Sequence, residues 1–132
     1  MIFKVEITIS IDGTKEIANL TCDNKSVTII FTMKSGFNKI YSDSNFYKCF
    51  AHLREDNPNI QFLCKGSKIN VHPSSMSSQM SLGLKAYELT LGKTSSLNDV
   101  VNIFDYEDNN LTNDPHEQLS FYRHWIESEK SD

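Results

Sequence analysis

Phe3, Val5, Ile7 and Ile9 alternate with Lys4, Glu6, Thr8 and Ser10 at the start of the chain. A period of two puts successive side chains on opposite faces, so this stretch reads as a strand with one face buried and the other in water. A one-sided sheet is characteristic of antiparallel architecture, and its apolar face must be covered by another part of the chain. Asp12-Gly13 marks a turn. Apolar residues resume with Ile17, Leu20 and Cys22, break at Asp23-Asn24-Lys25, and run again through Val27, Ile29, Phe31 and Met33. These stretches predict a meander, with the short FNKIY after Ser35-Gly36 as a further extended piece.

The period then changes. Phe46, Cys49, Phe50 and Leu53 recur at three- and four-residue steps after Ser42-Asp43-Ser44, which offers N-cap residues, and Asn57-Pro58 closes the run. This is an amphipathic helix, with Lys48, His52, Arg54 and Glu55 expected off its apolar stripe. IQFLC and KINVH follow, separated by Lys65-Gly66-Ser67, a spacing that suits a hairpin. After a proline-serine-methionine passage, KAYELTLG reads as a strand with Tyr87, Leu89 and Leu91 on one side and Ala86, Glu88 and Thr90 on the other.

The final third is helical in character. Asp114-Pro115-His116-Glu117 supplies an N-cap, a proline at the first helical position and a glutamate three residues after the cap. Leu119, Tyr122, Trp125 and Ile126, with Phe121 beside them, give a stripe that should pack on the sheet, and residues after Glu127 are expected to fray. Strands, then helix, then strands, then helices point to an α+β fold: a mainly antiparallel sheet of about five to seven strands with two or three helices packed on it. The 132 residues fit one domain, and 39% hydrophobic with 23% charged content is enough for a packed core.

Composition also excludes classes of function. No apolar run approaches the roughly 18 residues of a membrane helix, and no basic amphipathic helix suits a membrane surface, so the expected location is the cytoplasm. The lysines are scattered and the aromatics fall on apolar stripes, which disfavours direct nucleic-acid binding. Cys22, Cys49 and Cys64 are widely spaced with no C-x-x-C pair, and no two of His52, His72, His116 and His124 share a metal-binding spacing. Buried thiols are expected, with no metal and no cofactor.

One chemical alternative rests on the passage from His72 to Gly83. If IQFLC and KINVH formed the hairpin, Cys64 and His72 would approach across it, and a Cys-His pair can generate a thiolate nucleophile, with Ser74 and Lys85 nearby. Ile60, Phe62 and Cys64 share a face that looks buried, however, and the serines lack the glycines of a nucleophile elbow. Without chemistry the passage is a structured crossover. Pro73 ends a strand, the serines satisfy local backbone groups, Met76 and Met80 pack down as one face of a short helix, and Gly83 allows a close approach.

The runs L-C-x-G from Leu63, V-x-P-S-x-M-S-x-x-M-x-x-G-x-K-A-Y-x-L-x-L-G-K from Val71 to Lys93, V-x-I-F-D from Val101 and Q-x-x-F-x-x-x-W from Gln118 form a connected pattern over residues 46–126. It resembles a widespread group of small, mostly uncharacterised bacterial proteins. Some of that group are immunity proteins that neutralise the toxin domains of contact-dependent growth inhibition systems. The resemblance implies a protein-binding role and brings no catalytic residue with it.

Charge bears on that role separately. Through residue 98 there are eleven Lys plus Arg against eight Asp plus Glu, and from Asp99 onward two against nine, which together give the net −4. Asp105, Glu107, Asp108, Asp114 and Glu117 concentrate this charge before and at the start of the last helix. Such a region steers a basic partner toward it, and nucleases are commonly basic because they bind nucleic acid. The expected function is inhibition of a basic toxin domain of the nuclease kind, by occlusion of its active site. The rival readings are a small hydrolase or transferase built on Cys64, His72, Ser74 and Lys85, and an interaction scaffold with no toxin partner.

Overall fold

The computed structural model describes residues 1–130. β1 (Ile2–Ile11) and β2 (Thr14–Asp23) form a long hairpin in which Asp12 and Gly13 take φ of 50° and 82°. Positive φ at both central residues gives a two-residue turn the twist of its flanking strands. β3 (Thr28–Thr32) and β4 (Asn38–Ser42) continue the meander, and β5 (Ile60–Phe62) returns beside β1. The order is β4-β3-β2-β1-β5, antiparallel throughout.

The register lines up Val5 with Leu20 and Phe31, and Phe3 with Cys22 and Ile29, so alternation in sequence becomes one apolar face. α1 (Phe46–Asp56) covers that face with Phe46, Cys49, Phe50 and Leu53, all fully buried. Burial of each such side chain is worth about 1.5–3 kcal/mol. The cap of α1 is Asn45, one residue beyond the expected Ser42-Asp43-Ser44, and its side chain accepts from Lys48 N at 2.9 Å.

A second sheet, β6-β7-β8, is built from β6 (Val71–His72), β7 (Lys85–Glu88) and β8 (Val100–Asn102). α2 (Ser75–Met80) bridges β6 and β7, and α3 (Pro115–Glu127) follows the long loop after β8. Among the described residues, eight strands in two antiparallel sheets and three α-helices make an α+β fold. The total exceeds the expected single sheet because the later strands are short and pair only with one another.

Several local expectations are corrected. The 60–72 hairpin does not form: Lys65–Ser67 is a 3-10 turn, β5 pairs with β1 and β6 pairs with β7. On β7 the inward residue is Ala86, fully buried, while Leu91 lies beyond the strand and is exposed. Met76 and Met80 do occupy a short helix, but they point to solvent, Met80 being 81% exposed. Val100–Asn102 forms β8, and the chain turns at Ile103 and Phe104. Residues 128–130 do not fray: Ser128 Oγ accepts from Gly92 N at 3.1 Å, and the Lys130 ammonium donates to the Trp125 carbonyl at the end of α3.

The largest departure is polar. Arg54, expected on the solvent side of α1, is 0% exposed, and Gln118 is the one residue of α3 that is fully inside. Arg54 donates from Nη2 to Gln118 Oε1 (2.6 Å), from Nη1 to Gly66 O (2.9 Å) and from Nε to Thr112 O (3.2 Å). Gln118 Nε2 donates to Gly66 O (2.9 Å) and Lys68 O (2.8 Å). This network ties α1, the 3-10 turn and α3 together. The aromatic stripe of α3 packs more loosely: Tyr122 stacks on His72 with centroids 4.0 Å apart, Trp125 Nε1 donates to Lys93 O, and Ile126 is exposed.

Candidate functional site

The loop after β8 carries the acidic residues and has no regular structure, yet it is held along its length by the 63–69 segment. Gly66 N donates to Ile103 O (2.7 Å), Lys65 N to Asp105 O (2.8 Å), Glu107 N to Leu63 O (3.2 Å), Ile69 N to Asn110 O (2.9 Å) and Thr112 N to Ser67 O (2.9 Å). Gly66 makes this closeness attainable. A Cβ there would stand 2.8 Å from Ile103 Cβ and 3.0 Å from Ile103 O, so only glycine lets the two backbones meet.

The five carboxylates do different work. Glu107 Oε1 accepts from Lys65 Nζ (2.9 Å) and Lys68 Nζ (3.1 Å), and its Oε2 accepts from the Asp108 and Asn109 amides. With its side chain 10% exposed, the Lys65 ammonium first and then Lys68 hold its carboxyl down to about 2. Asp114 caps α3 by accepting from His116 N at 2.9 Å. Glu117 accepts from Thr112 Oγ1 at 2.7 Å, bracing the loop instead of closing a capping box. Glu107 is thus spent inside the fold, Asp114 and Glu117 brace α3 and the loop yet stay exposed, and the exposed Asp105 and Asp108 carboxylates meet no hydrogen-bond or ion-pair partner among the described residues.

Between these two free charges stands Tyr106, half exposed, its hydroxyl accepting from Lys15 Nζ at 2.8 Å. Sequence reading passed it over. The available signal was an aromatic residue set inside an acidic run, Asp105-Tyr106-Glu107-Asp108, in a segment with no strand or helix period. Physically the site is a pinned loop offering an aromatic anchor between two unpaired carboxylates, which suits recognition of cationic groups on another molecule.

The alternative chemical site lacks its thiol, while His72 and Ser74 line one cleft and Ser74 and Lys85 another. Cys64 is fully buried, and burial pushes its thiol up to about 12, so a thiolate is scarcely populated at neutral pH. His72 lies on β6, between Tyr122 and the edge of Tyr47, with Nδ1 2.8 Å from Pro73 O. A carbonyl only accepts, so Nδ1 carries the proton. Without the hairpin, Cys64 and His72 do not pair. Ser74 accepts from Ser77 N at 3.0 Å, and the Ser77 hydroxyl returns to Ser74 N, a reciprocal cap that starts α2. Lys85 is exposed at the start of β7, and its amide bonds Ser81 Oγ. Gly83, at φ 77°, packs against the start of α1, where a Cβ would lie 3.0 Å from Tyr47 N.

Cys22 and Cys49 are buried as well, and their thiols are likewise pushed up to about 12 by burial. No group of three His, Cys, Asp or Glu side chains among the described residues is arranged to hold a metal ion. Among the same residues, no helix is long and apolar enough to cross a membrane. Comparison with protein-family models and with curated proteins finds no match to this chain.

Proposed function

We propose that this protein acts by binding another protein, as an immunity protein that occludes the active site of a basic toxin domain, a nuclease by the charge argument. The observation that carries the reading is the loop of Asp105, Tyr106 and Asp108, ordered by backbone bonds to residues 63–69 before any partner arrives. A preordered loop loses little conformational freedom on binding, so more of its interaction energy appears as affinity. Unpaired carboxylates on a chain of net charge −4 raise the encounter rate with a cationic surface, and an aromatic side chain between them supplies the desolvated centre such interfaces rely on.

The pattern from Leu63 to Trp125 fits this reading through architecture. Its residues Leu63, Cys64, Val71, Ala86, Leu89, Ile103 and Gln118 are buried, and Gly66 and Gly83 are close-approach positions. They build the frame from which the acidic loop is presented. The reading requires a toxin domain in a neighbouring reading frame, and the test is co-expression with it. Wild-type protein is expected to restore growth, and the double variant Asp105→Lys/Asp108→Lys, which changes only side chains that make no internal bond, to lose that protection while remaining folded. Undiminished protection by the double variant contradicts the reading.

A further inference from the structure

The five-stranded sheet has two edges, and only one is covered. On β5, Asn113 Nδ2 donates to Ile60 O (2.7 Å) and Asn57 O (3.2 Å), closing that side with the 103–114 loop. β4 is the other edge. In an antiparallel ladder, opposed residues alternate between pairs that exchange backbone hydrogen bonds and pairs that do not. Met33 N donates to Phe37 O (2.8 Å) and Asp43 N to Val27 O (3.4 Å) at the two ends of the β3–β4 ladder. Counting in twos through the register from these bonds reaches Phe31↔Lys39 and Ile29↔Tyr41. Lys39 and Tyr41 therefore turn their backbone groups toward β3, and Asn38, Ile40 and Ser42 turn theirs outward.

Beside this edge runs a groove of about 410 Å3 between β4 and the flank of α1 that carries His52, Glu55 and Asp56. A strand added to β4 would extend the sheet, because the outward amides and carbonyls form a ready template. Its side chains would alternate between two environments. Those on the α1 side would pass His52, Glu55 and Asp56. Asp56 is met by Lys39 at 2.7 Å and Asp43 by His52 at 2.6 Å, whereas Glu55 is exposed with no ion-pair partner among the described residues. Within the groove Lys39 stands against two carboxylates, Glu55 and Asp56. Those on the other side would meet Ile40, 60% exposed, beside Ile30 across the ladder.

We infer that the free edge of β4 and the adjoining flank of α1 form a docking site for an extended segment of another protein in which basic residues alternate with apolar ones. Charge sets the occupant. A second copy pairing β4 to β4 would bring Glu55 and Asp56 of both chains together, like charges in a chain already at −4. The inference does not rest on the toxin reading, and it concerns a different surface from the loop of Asp105 and Asp108.

The probe is a synthetic peptide of about eight residues, the length of an ordinary strand, alternating lysine and valine, with blocked ends. Its control has the same composition in two blocks. Amide hydrogen exchange read by NMR is expected to slow at Ile40 and Ser42 with the alternating peptide and not with the control. Glu55→Lys, on an exposed helix position, should weaken binding about tenfold. Ile40→Pro removes an outward N–H, which a free edge tolerates, and should abolish the protection; if that variant fails to fold, Glu55→Lys carries the test alone. Unchanged exchange at Ile40 and Ser42, equal binding of the block peptide, or no effect of Glu55→Lys overturns the proposal. Protection that grows with protein concentration alone assigns the edge to a second copy and overturns it too.

Discussion

Arg54 sits inside the molecule with three neutral oxygens around its guanidinium and no carboxylate among its hydrogen-bond partners in the described residues. Burial lowers it to about 10, yet it stays protonated at neutral pH, and the Phe50 ring lies 5.0 Å from its charge. Arg54→Ala strands Gln118 Oε1 and leaves a cavity, and should cost about 3 to 5 kcal/mol in chemical denaturation. Such a role was hard to read in advance. Arg54 falls four residues after Phe50, on the buried track, but a charge at that position reads as the helix turning to water. Glu107 offers a second test. Its carboxyl titrates near 2 in the fold against an ordinary 4.5, so its stabilisation is full above about 4.5 and is lost as pH falls toward 2. Glu107→Gln should lower stability by about 1.5 to 3 kcal/mol at pH 7. Denaturation at a series of pH values should show the gap from wild type shrinking across that acid window.

The elements divide by how local their signals are. β1 to β4, α1 and the start of α3 follow from alternation, the helical stripe and the Asp114-Pro115 cap, each readable within about ten residues. β5 and β6 are three and two residues long and find partners far away in sequence, β1 and β7, so proximity suggested a hairpin that long-range pairing overrode. The acidic loop was legible as charge and illegible as structure, since its order comes from backbone bonds that no side-chain pattern records. Gly66 is the hinge of that order. Gly66→Ala should push Ile103 away, cost about 1 to 3 kcal/mol by overpacking, and speed exchange of the Ile69 and Thr112 amides, which bond across to the loop, relative to the amides of β1 and β2.

Across the whole molecule the sequence-level asymmetry of charge is partly spent inside. Lys65 and Lys68 from the positive part close on Glu107 from the negative part, with Glu88 joining them. Within the loop, Asp105 and Asp108 around Tyr106 are the carboxylates left without an internal bond, and Asp114 and Glu117 stay exposed beside them. The Cys-His pair loses its thiol because Cys64 is sealed in the core, away from the cleft that His72 and Ser74 line. The most direct measurement is calorimetric titration of a basic toxin domain, which the proposal places in a neighbouring reading frame, at low and high salt, into wild type and into Asp105→Lys/Asp108→Lys. The account predicts binding that weakens with salt and falls about tenfold or more in the double variant; equal affinity of the two proteins, insensitive to salt, would contradict it.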